Sequence, residues 1–210
     1  MRIAPAMLAM VAAIIAVPFA SVSVMPADSV AAAHRGRCTN WSSTTQPPST
    51  IRVYRVSEGF VETVDFKAYV KRVVSREWNV PQHALRKAGA HAVKQYAWFH
   101  VLHYRGGSFE GECFDVRDTT ADQLYANKPL RQIPRRVKRA VNKTWNWTLV
   151  RGDKFPMTGY RRGADVACAE DAGYRLYVRS GRKCANKGWS AEKILTVYYT
   201  AKLVKQELPN

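Results

Sequence analysis

Acidic residues are scarce in this sequence: 16 Asp and Glu stand against 33 Lys and Arg, a formal charge of +17 over 210 residues. Such an excess implies a polyanion nearby and says nothing about the fold. Inside a cell that polymer would be nucleic acid; outside, cell-surface polymers and membrane headgroups are the commoner anions. Cysteine is also sparse, at four. None of the four lies in a Cys-x-x-Cys or His-x-x-x-His pattern, which weakens a zinc reading. No internal repeat or coiled-coil heptad occurs. Beyond the N-terminus no segment is long and apolar enough to span a membrane.

What is present begins with a leader. Arg2 precedes an uncharged stretch from Ile3 to Ala27, most apolar between Met7 and Val17, with small residues at Ser29-Val30-Ala31 and Ala31-Ala32-Ala33. This is the layout of a secretory signal peptide over residues 1–33. Pro5, Pro18 and Pro26 argue against a stable spanning helix, and an uncleaved N-terminal membrane anchor is the alternative. Export makes an even cysteine set a disulfide framework. Four cysteines allow three pairings. The short span with Gly173 and Gly181 suggests Cys168 with Cys184, which leaves Cys38 with Cys113.

Residues 34–50, with Ser42 to Thr45 and Pro47-Pro48, read as a flexible linker. Residues 51–210 then form one compact domain. Ile51 to Val56 alternates apolar and basic residues as a strand does, and Val61 to Val64 continues a sheet. Asp65 is placed to cap a helix over Phe66–Glu77. Pro81 breaks it. A second, Ala-rich helix runs from about His83 to Tyr104 and stops at Gly106-Gly107. Residues 113–125 read as loop, Ile133 to Trp145 as a third helix and Trp147 to Val150 as a strand. The Cys168–Cys184 region reads as irregular, and Ala191 to Leu203 as a last helix capped by Ser190. Helices and short strands that do not alternate regularly favour an α+β fold, several helices packed on short mixed strands.

Glu77 stands out. In a helix, Phe66, Val70, Val73 and Glu77 share one face, which sets a carboxylate below three large hydrophobes. Loss of hydration favours the protonated carboxyl, the form a general acid needs. The competing reading is a helix-end Glu turned to solvent, and pattern alone prefers it. Trp78 adjoins Glu77 and has an indole face suited to a sugar ring, although most Trp in a small domain are core. His100 and His103 lie three apart on the second helix. Surface positions are expected for both, since no third metal ligand is evident.

Four blocks resemble the stage II sporulation protein D family, which includes amidase-enhancer type domains. They are Tyr69 to Trp78, Lys87 to Ala97, Val116 to Tyr125 and Gly188 to Tyr199, in family order, within a span of roughly residues 61 to 203. The first is similar to the block whose Glu is the family's catalytic acid, which implies that role for Glu77. The second carries Lys94 where the family usually has Arg. The resemblance implies that Lys94, Asp118, Thr119, Thr120, Gln123 and Tyr125 contact substrate or orient Glu77; Trp78, which stands where the family has Met, is a substrate-binding candidate only by its place beside Glu77. Local turn closure is the other reading for the Asp and Thr side chains, and a solvated helix surface for Lys94. Some members hold a metal near the third block. Ala121 and Asp122 occupy the ligand positions here, so no metal and no cofactor is expected.

The resemblance implies lytic cleavage of peptidoglycan glycan strands, at the bond between N-acetylmuramic acid and N-acetylglucosamine, to leave 1,6-anhydro ends. A non-catalytic wall-binding module that recruits or enhances an amidase is the alternative. The implied partners are glycan strands, anionic wall polymers and a cell-wall amidase, with no specific nucleic acid. An inverting hydrolase would need a second carboxylate, for which Asp118 and Asp122 are the candidates. Arg76, beside Glu77, could hold that carboxyl ionised and unfit as an acid.

Overall fold

The computed structural model describes Cys38 and residues 41–206. The leader read at residues 1–33 lies outside the described residues. Among the described residues the chain is α+β. Strand β1 (Thr50–Arg55) lies between β2 (Phe60–Asp65), its antiparallel neighbour, and β5 (Val116–Arg117), which pairs with it in parallel. The pleat sends Ile51 and Val53 inward. Strands β3 (Ser108–Phe109) and β4 (Glu112–Cys113) form a short hairpin ahead of β5. The Arg52 guanidinium and backbone N–H both bind the Asp115 carboxylate, joining β1 to the segment entering β5.

Helix α1 (Phe66–Glu77) starts where the Asp65 carboxylate accepts the Ala68 N–H at 2.7 Å. It buries Phe66, Tyr69, Val70, Val73 and Val74. Trp78 closes it, its N–H bonded to the Val74 carbonyl at 2.9 Å. Helix α2 (His83–Leu102) is buried along most of its length and packs against α1, α3 (Arg135–Thr144), α4 (Val178–Asn186) and α5 (Ala191–Tyr199). Small residues permit that approach: a Cβ at Gly89 would lie 2.1 Å from the Trp78 ring. Helix α3 is strongly two-faced. Val137, Ala140, Val141 and Thr144 point inward, while Arg135, Arg136, Arg139 and Lys143 are exposed.

Several element limits differ from the sequence reading. The last helix stops at Tyr199 because Thr200 adopts a left-handed conformation, φ +46°, and carries the chain out of the helix. Leu203 therefore belongs to β9 (Lys202–Lys205), antiparallel to β6 (Trp147–Val150). The third helix starts at Arg135, since Pro134 is extended. The Cys168–Cys184 span contains β8 (Leu176–Tyr177), paired in parallel with β7 (Tyr160–Arg161), and most of α4. Disulfides join Cys38 to Cys113 and Cys168 to Cys184. Residues 41–49, read as linker, touch the domain: Trp41 packs on the core and the Ser43 carbonyl accepts the Trp98 indole N–H at 2.9 Å. No described helix is long and apolar enough to cross a membrane.

Replacing an exposed helical glycine by alanine stabilises by about 1 kcal/mol. At Gly89 the methyl collides with a fully buried indole, and overpacking costs about 1–3 kcal/mol. Gly89→Ala is therefore expected to lower the thermal midpoint, read by circular dichroism, instead of raising it.

Candidate functional site

Glu77 is half-buried at the C-terminal end of α1, and both of its oxygens have donors. Oε1 accepts the Leu124 backbone N–H at 2.9 Å, and Oε2 accepts the Tyr160 hydroxyl. The Tyr160 oxygen in turn accepts Gln123 Nε2 at 3.1 Å, and Gln123 Oε1 accepts the Tyr69 hydroxyl at 2.9 Å. Gln123 Nε2 also reaches the Val93 carbonyl at 3.2 Å. Four side chains from α1, the 118–125 loop and β7 thus form one line of donors that ends on the carboxylate. The parallel pairing of β5 with β1 delivers the 118–125 loop, and the pairing of β7 with β8 delivers Tyr160.

The electrostatics are a contest. Burial raises the Glu77 pKa above its ordinary value and is the largest influence. The Tyr160 hydroxyl and the Leu124 N–H favour the ionised form and pull the other way without reversing the shift. Arg76 is exposed and forms no ion pair with Glu77. Burial, and then the Glu77 charge, hold the Tyr69 and Tyr160 hydroxyls well above the usual tyrosine range. Both remain protonated and so remain donors.

Among the residues expected at the site, Gln123 reaches Glu77 through Tyr160. The others go elsewhere. Trp78 is fully buried and offers no face to a sugar; its ring meets Tyr160 edge-on at 5.2 Å, so it supports the site from beneath. Lys94 is also buried. Its ammonium donates to the Trp145 carbonyl at 2.7 Å, the Thr144 carbonyl at 3.4 Å and the Trp147 carbonyl, closing the end of α3. Burial, with help from Lys67, lowers the Lys94 pKa to about 7.

Asp118 is held by Arg55 Nε at 3.0 Å and by the Val56 N–H at 3.0 Å. The Thr119 hydroxyl accepts the Ala121 N–H within its own turn, and Thr120 is exposed. Tyr125 stacks on Tyr69, and its hydroxyl accepts from Arg72 at 3.2 Å. Asp122 has a fully buried side chain that binds Arg105 at 2.5 Å, the Tyr96 hydroxyl at 3.1 Å and the Arg117 N–H at 2.8 Å. Every carboxyl oxygen of the two aspartates already accepts at least one protein donor. His103 is exposed as expected, but His100 is buried against Tyr96, and burial lowers its pKa to about 4. No group of three or more His, Cys, Asp or Glu able to hold a metal occurs among the described residues.

Tyr69 and Tyr160 are the site residues that sequence reasoning missed. Tyr69 lay in a recognised block, one α1 residue among several apolar ones. Tyr160 lies 83 positions from its partner, in a two-residue strand with no pattern to mark it. Neither of two surface recesses, one on α3 and one at residues 151–177, is lined by Glu77. The Glu77 carboxyl is half-buried and lies outside both recesses.

The Tyr160→Phe variant should raise the Glu77 pKa further, because the lost hydrogen bond stabilises the charged form. Titration of the Glu77 side-chain carboxyl by carbon NMR reads this directly, and a downward shift would contradict the arrangement. Lys94→Met should leave that titration unchanged while lowering stability, since it leaves buried carbonyls unpartnered at about 1–3 kcal/mol each.

A family model described as Stage II sporulation protein matches residues 54–150, from within β1 to the end of β6. No curated protein matches the chain. The match contains Tyr69, Glu77, Gln123 and Leu124. Tyr160, α4 and the closing block at Gly188 to Tyr199 fall outside it.

Proposed function

Because the chain belongs to the stage II sporulation protein family through residues 54–150, which is consistent with a cell-wall-related function, we propose that it is a peptidoglycan lytic transglycosylase with Glu77 as its catalytic acid and base. The observation that carries this reading is a half-buried carboxyl with a raised pKa, held on both oxygens, while the loop carboxylates Asp118 and Asp122 are paired with arginines. Protonated Glu77 donates to the glycosidic oxygen leaving C1 of the muramic acid unit. The carboxylate so formed takes the proton from the C6 hydroxyl of the same sugar. The C6 oxygen bonds to C1 and closes the 1,6-anhydro ring. The nucleophile is the substrate's own, so one enzyme carboxyl suffices. An inverting hydrolase would hold a water between carboxyls roughly 6.5–9.5 Å apart, and the ion pairs of Asp118 and Asp122 do not suit them to that task.

In this reading the Leu124 N–H and the Tyr160 hydroxyl fix the carboxyl rotamer and stabilise the anion between the two proton transfers. The leader-like N-terminus and the two disulfides support action outside the cytoplasm. A second reading, a non-catalytic module that holds the wall polymer for an amidase, is supported by the exposed cations of α3 and by the absence of any acid between Asp122 and Asp153. Anionic wall polymers are the partners that this face suits by charge.

Glu77→Gln is expected to reduce release of anhydro-muramic ends from peptide-stripped glycan by about 10²- to 10⁴-fold, the usual worth of a positioned acid or base. Mass detection of the ends reads the loss. Unchanged release by the variant would sink the mechanism, and no release by the wild type would favour the binding module. The working form at the first step is the protonated one. The rate should therefore fall as pH rises through the elevated Glu77 pKa, and Glu77 should set the alkaline limb of the profile.

A further inference from the structure

Beyond the family-matched segment, residues 151–159 and 171–177 border a groove of ≈ 590 Å³ lined in part by Arg151, Met157, Asp171, Tyr174, Arg175 and Tyr177. Tyr174 is 73% exposed, a large ring left in water. The Arg151 guanidinium sits 4.5 Å from its centroid. Arg151 is itself anchored, donating to the Tyr199 carbonyl and to the Thr200 carbonyl at 3.4 Å. Asp171 accepts the Ser180 hydroxyl on Oδ1 at 2.5 Å, whereas its Oδ2 is buried with no donor.

The walls are built, not loose. The Gly173 N–H bonds to the Tyr198 carbonyl at 3.1 Å, and its carbonyl accepts the Thr200 hydroxyl at 3.1 Å. The Ser180 hydroxyl that serves Asp171 accepts from Tyr198 at 2.7 Å. The Leu176 N–H bonds to the Gly159 carbonyl at 3.1 Å, and the Cys168–Cys184 disulfide ties the adjoining loop to α4.

The groups in the groove discriminate among ligands. The Asp171 oxygen left without a donor accepts hydrogen bonds, so the ligand must bring a donor. Arg175, exposed and without an ion pair among the described residues, only donates, so the ligand must also bring an acceptor. The Tyr174 face suits the C–H face of a ring. A polyanion brings acceptors alone and leaves the Asp171 oxygen unpartnered, as does an apolar ligand. Hydroxyl and N-acetyl groups on a pyranose supply all three features. We propose that this groove is a saccharide-binding subsite, distinct from the Glu77 carboxyl. Gly159, on its wall, immediately precedes Tyr160, so β7 joins the two places and a glycan strand is gripped at a second point. The choice of an N-acetylated glycan as the ligand rests on the transglycosylase reading; the groove itself does not.

The test is calorimetric titration of the full chain carrying Glu77→Gln with a peptide-free tetrasaccharide of alternating N-acetylglucosamine and N-acetylmuramic acid. Adding Tyr174→Ala or Arg175→Ala, both at exposed positions, should raise Kd about threefold to tenfold, as loss of one aromatic contact or one hydrogen bond would. Unchanged Kd in both variants overturns the proposal. So does absence of tetrasaccharide binding by the parent, or displacement of the tetrasaccharide by free stem peptide. The two readings fail separately. Tetrasaccharide binding weakened by Tyr174→Ala, in a protein whose wild type releases no anhydro ends, keeps the groove and removes the enzyme. Normal release by the wild type with unaffected Kd does the reverse.

Discussion

The burial of α2 on nearly all sides is the constraint on which the rest of the structure depends. A helix surrounded by other elements leaves its polar side chains little water, and several of them serve neighbouring elements instead. Lys94 closes the end of α3 with three carbonyls. Gln95 accepts the Leu149 N–H at 2.8 Å and donates to the Leu149 and Pro156 carbonyls. Arg86 donates to the Val80 carbonyl just beyond α1. Small residues on α2 then allow Trp78 to lie flat against Gly89. These contacts set the height at which α1 ends, and that height decides where Glu77 emerges.

The line from Tyr69 through Gln123 and Tyr160 to Glu77 is the second consequence. Each hydrogen bond to a charged group is worth about 1.5–3 kcal/mol, and two of them oppose the burial of Glu77. Burial wins, so the carboxyl holds its proton more tightly than a solvated one, while the same donors stand ready for the anion. Under the proposed mechanism, in which Glu77 gives a proton and then takes one back, such opposing influences suit both steps. An ion pair with a cation would have tilted the group toward the carboxylate.

The limits of α1 and its apolar face were legible from period, from the Asp65 cap and from Pro81, all of which act within a few residues. The family blocks pointed to Glu77 and Gln123, which the structure links through the Tyr160 hydroxyl. Trp78 and Lys94 were misread for a shared reason. Adjacency to a site in sequence does not fix direction: Trp78 closes the helix and turns under it, and Lys94 faces a helix whose end arrives from residues 50 positions on. Asp118 and Asp122 were placed in the right loop, but their partners Arg55 and Arg105 come from other elements.

The sequence by itself determined the α+β class, the positions of the main helices and the excess of basic residues, because periodicity, capping and composition are local properties of the chain. Only the tertiary structure decided which groups touch Glu77. Tyr160 reaches Glu77 from a two-residue strand outside the family-matched segment, and Asp171 and Tyr174 line a groove with Arg151 and Met157 from a separate part of the chain. Contacts of that kind depend on how packed elements are oriented, and orientation is set by the burial of α2 and not by any spacing along the chain.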